Sequence, residues 1–236
     1  MLKLRDAETG RDEPVGARGA ARVRVAEQDP DAETPLTRLR ALLAADVLRR
    51  IADVAGVRVL VEADDDMPGR AGCGIAPADA DPGTFGDRAD VVITPGPPNG
   101  GGGVRVSIAD LIIADAPNAV PNDLLALRLA ILSVPYARPA RIGPDDVRDA
   151  EAELARWRGR VAEWAEGPSR PMCADYVAKF RGAFEDDLDI PAALAVLRLV
   201  EDDPDLPPGA KFETFVFADR VLALELPRDI GRAPGA

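Results

Sequence analysis

The chemistry open to this chain is bounded first by a missing residue. None of its 236 residues is a histidine, which excludes His-dependent triads, His metal sites and the commonest general base at neutral pH. Cys73 and Cys173 are too few for a disulfide framework or a four-cysteine zinc site. The acidic run from Glu62 to Asp66 could hold Mg2+, which accepts one or two carboxylates, but reads as a solvated loop. Glu185, Asp186, Asp187 and Asp189 look catalytic in isolation; Asp189 precedes Ile190-Pro191, so capping of a following helix explains it. Gly100–Gly103 could cradle a phosphate through successive N–H groups. Val104-Arg-Val follows, however, where a P-loop needs Gly-Lys-Ser/Thr opening a helix, so a flexible linker is the reading. Arg38, Arg40, Arg49 and Arg50 could meet a phosphorylated ligand or simply pair with carboxylates.

The elements that must position these groups follow from periodicity. Arg22–Val25, Val57–Val61 and Val91–Thr94 read as strands, and Val104–Ile113 as a strand despite Asp110. Between the first two, Leu36, Leu39, Leu42, Leu43, Val47, Leu48, Ile51 and Val54 make one broad helical stripe, with Thr34-Pro35 as cap and first residue and Gly56 as terminator. This predicts a β-α-β unit. Residues 1–21 lack periodicity and read as an extended or loosely packed arm. From Pro121 the pattern is helical to the end, with helices near 121–134, 144–165, 171–186, 190–200 and 209–224. Trp157 and Trp164 lie seven apart on one face, placed for core or interface packing. A boundary near residue 117 gives an arm at 1–21, an α/β domain at 22–117 and a helical domain at 118–236.

Net charge is −12, and 26 of the 29 basic residues are arginine. The helical half holds 21 acidic and 15 basic groups, which argues against nucleic acid as a partner. No apolar stretch approaches the roughly 20 residues that span a bilayer, no signal-like segment follows Met1, and a cytoplasmic protein is expected.

Three runs carry a resemblance. Leu127-Arg-Leu-Ala-Ile-Leu-Ser-Val-Pro-Tyr136, Ala150-Glu-Ala-Glu-Leu-Ala-Arg-Trp-Arg158 and Asp186-Asp-Leu-Asp-Ile-Pro-Ala-Ala-Leu194 resemble the C-terminal helical bundle of cysteinyl-tRNA synthetases. They are closer to the related ligase that joins cysteine to glucosaminyl-inositol in mycothiol synthesis. The opening Met1-Leu-Lys-Leu-Arg-Asp6 and Asp46-Val-Leu-Arg-Arg50 are similar to the family too. The resemblance implies an α/β plus all-α fold: a reduced Rossmann-like half of class I synthetase type, then a helical bundle.

The family's chemistry is not matched. Its His-x-Gly-His signature, which holds the ATP phosphates, falls on Pro35, Leu36, Thr37 and Arg38; its Lys-Met-Ser-Lys-Ser signature falls on Gly103, Val104, Arg105, Val106 and Ser107. Only the serine survives, with Arg38 and Arg105 as replacement cations. The zinc-binding cysteine after the first strand is Ala26, so no metal is expected. These departures imply a non-catalytic paralogue with no cofactor, docking on a protein partner or a second copy of itself. An exposed apolar surface is expected on the α/β half, where the family's missing parts would pack. The alternative is an ATP- and Mg2+-dependent cysteine ligase rebuilt around Arg38, Arg105 and Ser107.

Overall fold

The computed structural model describes residues 1–27, 35–64, 66–67, 69–97, 102–114, 121 and 123–232. Thr34, Asp65, the centre of the glycine run and the expected boundary near residue 117 lie outside these. Strands β1 (Lys3–Arg5), β2 (Asp12–Pro14) and β3 (Ala20–Val25) come first, then helix α1 (Pro35–Val54) and strand β4 (Arg58–Glu62). Next are β5 (Val91–Pro95), β6 (Val104–Ile108) and β7 (Leu111–Ile113). The remainder holds α2 (Leu124–Leu132), β8 (Ala140–Ile142), α3 (Pro144–Trp164), α4 (Ala174–Glu185), α5 (Ile190–Asp202) and α6 (Pro208–Leu222).

The centre is a four-stranded sheet in the order β4-β3-β5-β6, parallel throughout. A parallel sheet needs cover on both faces. One face presents Val23, Val59, Val61, Val91, Ile93, Val106 and Ile108 to the main core, which α1 shares. The other is covered by a small cluster of Phe85, Ala89 and Val92, with Ala26, Leu60 and Ala80 packed against it. With six helices among the described residues, the architecture is α/β and consistent with a Rossmann-like half joined to a helical one.

Helix α1 departs from a one-sided amphipathic helix: every residue from Leu39 to Leu48 is buried. Ala41, Ala44 and Ala45 fill the faces between the leucines, and their small side chains let neighbouring elements pack close on all sides. Gly56 ends the helix region in the left-handed conformation, with φ of 75°.

Three stretches differ from the sequence reading. Residues 3–14, expected as a loose arm, form the antiparallel hairpin β1–β2. Leu2, Leu4 and Val15 are buried there, and the Asp6 carboxylate accepts from the Glu8 and Thr9 amides at 3.1 and 2.7 Å to hold the turn. Val104–Ile113 is two strands, not one: at the break the Ala109 amide donates to the Tyr136 carbonyl, and the Asp110 carbonyl accepts from Ala140. The region after Pro121 is not helical throughout, because β8 pairs in parallel with β7. Pro139 and Gly143 bracket a stretch too short for a helix, and an unpaired strand edge was at hand.

The helices otherwise fall where the periodicity puts them. Trp157 and Trp164 both meet Phe215 edge-on, with centroids 5.8 and 5.1 Å apart, and so pack α3 on α6. Asp189 caps α5 through the Ala192 amide at 3.0 Å. One core cluster holds buried residues from Leu2 to Leu226, among them side chains of both α1 and α3. Among the described residues of the α/β half, Ile112 is the exposed large apolar side chain, a single residue where an apolar surface was expected. No described helix is long and apolar enough to cross a membrane.

Candidate functional site

In open α/β sheets ligands bind beyond the carboxyl ends of the strands, where the strand order reverses. Here β3 leads through α1 to β4 on one side, while β5 pairs on its other side. The reversal lies between β3 and β5, and α1 begins there. This is also where the sequence places the first signature positions.

Pro35 opens α1 and Leu36 is half-buried against the core. Thr37 is 1% exposed, and its hydroxyl accepts from the Leu111 amide at 3.1 Å. Arg38 donates to the Asp64 carboxylate at 2.8 Å and to its carbonyl at 3.3 Å; that guanidinium holds the Asp64 carboxyl below its ordinary range. Two residues on, Arg40 is 2% exposed and donates to four backbone carbonyls, those of Ala109, Val134, Pro135 and Arg138. Burial pulls its pKa down to about 10. Arg40 thus clamps the β6–β7 junction to the turn before β8, with carbonyl oxygens in place of a carboxylate.

The second set of positions lies on β6. Gly103, with φ of 87°, sits where a Cβ would come within 2.7 Å of the Ala89 and Asp90 carbonyl oxygens. Val104 is half-buried and Val106 buried in the core. The Arg105 guanidinium pairs with Glu8 and lies 3.9 Å from Asp6, both in the N-terminal turn. The Ser107 hydroxyl donates to the Gly96 carbonyl beyond β5 at 2.5 Å. Arg38 and Arg105 therefore bind different carboxylates at opposite ends of the sheet. Arg105, with Gly103 and Val104, lines a cavity of about 580 Å³ on the amino-end side, alongside Asp6, Arg22 and Asp90.

The groups with other candidate roles are also held internally. Glu62, 1% exposed, pairs with Arg24 at 2.7 Å and accepts from the Gly83 amide at 3.1 Å. Asp187 accepts from the Arg5 amide at 2.8 Å and from the Tyr136 hydroxyl; burial, the larger effect, leaves its carboxyl raised. Arg49 and Arg50 both reach Asp46.

Asp46 and Arg128 are the functional-looking pair that sequence reasoning missed. Arg128 is fully buried and donates to Asp46 at 2.8 Å, the Leu222 carbonyl at 2.6 Å and the Cys73 carbonyl at 3.0 Å. Burial alone would raise the Asp46 carboxyl, but Arg128 and Arg50 outweigh it and leave it lowered. The available signal was a charge inside each apolar run, Ala45-Asp46-Val47 and Leu127-Arg128-Leu129. The pair joins α1, α2, the segment around Cys73 and the end of α6.

The groups that the resemblance implies fit poorly. Ala26, the position to which the resemblance assigns a zinc ligand, packs against the Phe85 cluster. Cys73 is 1% exposed and its thiol is pushed up by burial, opposite to the thiolate zinc requires. At the nucleotide end, the cation at α1's first turn is Arg38, committed to Asp64.

No family model matches the chain. Parts of it are similar to curated enzymes named L-cysteine:1D-myo-inositol 2-amino-2-deoxy-alpha-D-glucopyranoside ligase. The one from Thermobispora bispora is 43% identical over 75 residues, covering 32% of this chain and 18% of that relative. The Streptosporangium roseum enzyme is 34% identical over 108 residues, 44% of the chain and 26% of the relative. For Thermobifida fusca the figures are 33% over 130 residues, 52% and 30%. The chain thus spans less than a third of the length of the curated relatives it matches. The partial matches support a relationship, over those stretches, to the cysteinyl-tRNA synthetase-like mycothiol cysteine ligases.

Proposed function

We propose that the chain is a non-catalytic cytoplasmic binding protein on a ligase-derived scaffold. It keeps a reduced Rossmann-like half and helices α2–α6 in an arrangement like the family's C-terminal bundle. It uses no cofactor and docks on a protein partner or a second copy of itself. The observation that carries this reading is the start of α1, where Thr37, Arg38 and Arg40 are each engaged by the protein's own groups. Adenylate formation requires donors aimed at the charge developing on the phosphates, and losing one such donor costs on the order of 100- to 1000-fold in rate. Cysteine-dependent exchange of pyrophosphate into ATP by the purified full chain is expected at background. Exchange well above background overturns the reading.

The second reading, an ATP- and Mg2+-dependent amino-acid (cysteine) ligase with a rebuilt site, is favoured by what the relatives are named to do. It would rest on Arg38, Arg105 and Ser107, and any exchange detected should then vanish in Arg38→Ala and Arg105→Ala. The placement of Arg105 on the hairpin side speaks against it.

A further inference from the structure

A cavity of about 330 Å³ opens where the end of α1, the start of β4 and α6 meet, at the opposite end of α1 from the signature positions. Its ionisable lining is Arg49, Arg50, Arg58 and Arg220 against a single carboxylate, Asp53. Arg49 and Arg50 are held in place by Asp46, and Arg49 also by the Asp79 carboxylate at 3.4 Å and the Pro77 carbonyl at 2.9 Å. Arg58 and Arg220, both exposed, have no ion pair or side-chain hydrogen bond among the described residues. Two fixed guanidinium groups and two uncommitted ones therefore converge on one concavity of a protein whose net charge is −12.

We propose that this cavity binds a small phosphomonoester, with Arg58 and Arg220 as the closing ligands. Guanidinium presents a planar fork of donors that matches phosphate oxygens two at a time, and a dianion is what neutralises the two unpaired cations. The volume lies near the lower end of the roughly 300–1,000 Å³ typical of small-molecule sites, which suits a phosphate on a small body better than a bare ion. The site is independent of the function proposed above: it shares no residue with the signature positions and stands whether or not the chain activates an amino acid.

The test is a titration of the full chain at fixed ionic strength, with glycerol 3-phosphate, inorganic phosphate and chloride as separate arms. It is read by calorimetry and by the Nε–H resonances of the arginine side chains. Saturable binding of glycerol 3-phosphate, tighter than that of phosphate and absent with chloride, is expected to shift the Arg58 and Arg220 signals. Arg58→Gln and Arg220→Gln should each weaken it by roughly ten-fold, as expected for a charge-assisted hydrogen bond, with the circular dichroism spectrum unchanged. Equal or tighter binding of inorganic phosphate reassigns the site to the free ion and overturns the phosphomonoester proposal. Lack of saturation overturns it as well. So does unaltered binding in the double variant with lowered thermal stability, which would make the arginines partners of α1's negative end only.

Discussion

Asp46 has more riding on it than any residue at the signature positions. Its carboxylate takes Arg50 and Arg128 at 2.8 Å each, Arg49 at 3.5 Å and the Ala76 amide at 3.1 Å, all at 2% exposure. Removing one member of a buried pair leaves the other charged and desolvated. Asp46→Ala should therefore cost about 3–5 kcal/mol, read as a lower urea midpoint with an unchanged slope. The pH dependence has a definite sign. The Asp46 carboxyl is lowered from 3.8 in the folded protein, so its contribution is present above that value and is lost as pH falls through the folded pKa. Stability curves of the wild type and Asp46→Asn should lie far apart at neutral pH and converge in acid. Curves that run parallel down to the acid limit would show that Asp46 is not ionised in the fold. At Gly103 the constraint is steric: with φ of 87° and two carbonyl oxygens against any Cβ, Gly103→Ala should destabilise by about 1–3 kcal/mol, measured the same way.

Among the elements, the hairpin β1–β2 shows what was legible and what was not. Leu2-Lys-Leu-Arg5 alternates with period two, and its apolar members are the buried ones. Four residues are too few for that signal to stand out from a polar arm, and the hairpin's stability comes from distant groups. The Asp6 carboxylate accepts from the Arg105 amide at 2.9 Å, and Asp187 accepts from the Arg5 amide. The long helices were readable because their own 3.6-residue period carries the evidence. The parallel pairing of β7 with β8 was not, since it joins segments about thirty residues apart. Nor was the all-round burial of α1, because alanine marks neither a core nor a surface face. The same division holds for the site. The mismatch at the expected signature positions is a reading of residue types alone. The Arg38–Asp64 and Arg105–Glu8 pairs depend on a fold that brings remote residues together. The hairpin's part in that fold is testable: Leu4, at 0% exposure, packs in the main core, so Leu4→Ala should cost about 2–5 kcal/mol. A loss below 0.5 kcal/mol, as at an ordinary surface position, would return the segment to a loose arm.

Across the whole molecule, the question is whether the α/β and helical halves unfold as one. Three kinds of tie cross between them: the buried Asp46–Arg128 pair, the bonds from Arg40 to the Val134, Pro135 and Arg138 carbonyls, and the β7–β8 ladder. The apolar cluster is also continuous through both. Cutting it anywhere would expose core on each side, so partial unfolding gains little chain entropy for the apolar surface it releases. This predicts a single cooperative transition. Both tryptophans are in α3, so their fluorescence reports the helical half alone, whereas far-ultraviolet circular dichroism reports both halves. Ile93, 1% exposed on β5, lies on the sheet and not on the helix that carries the tryptophans. Ile93→Ala should cost about 2–5 kcal/mol and lower the urea midpoint by the same amount with either probe. A tryptophan midpoint that stays at the wild-type value while the circular dichroism midpoint falls would divide the protein into two independently folding units.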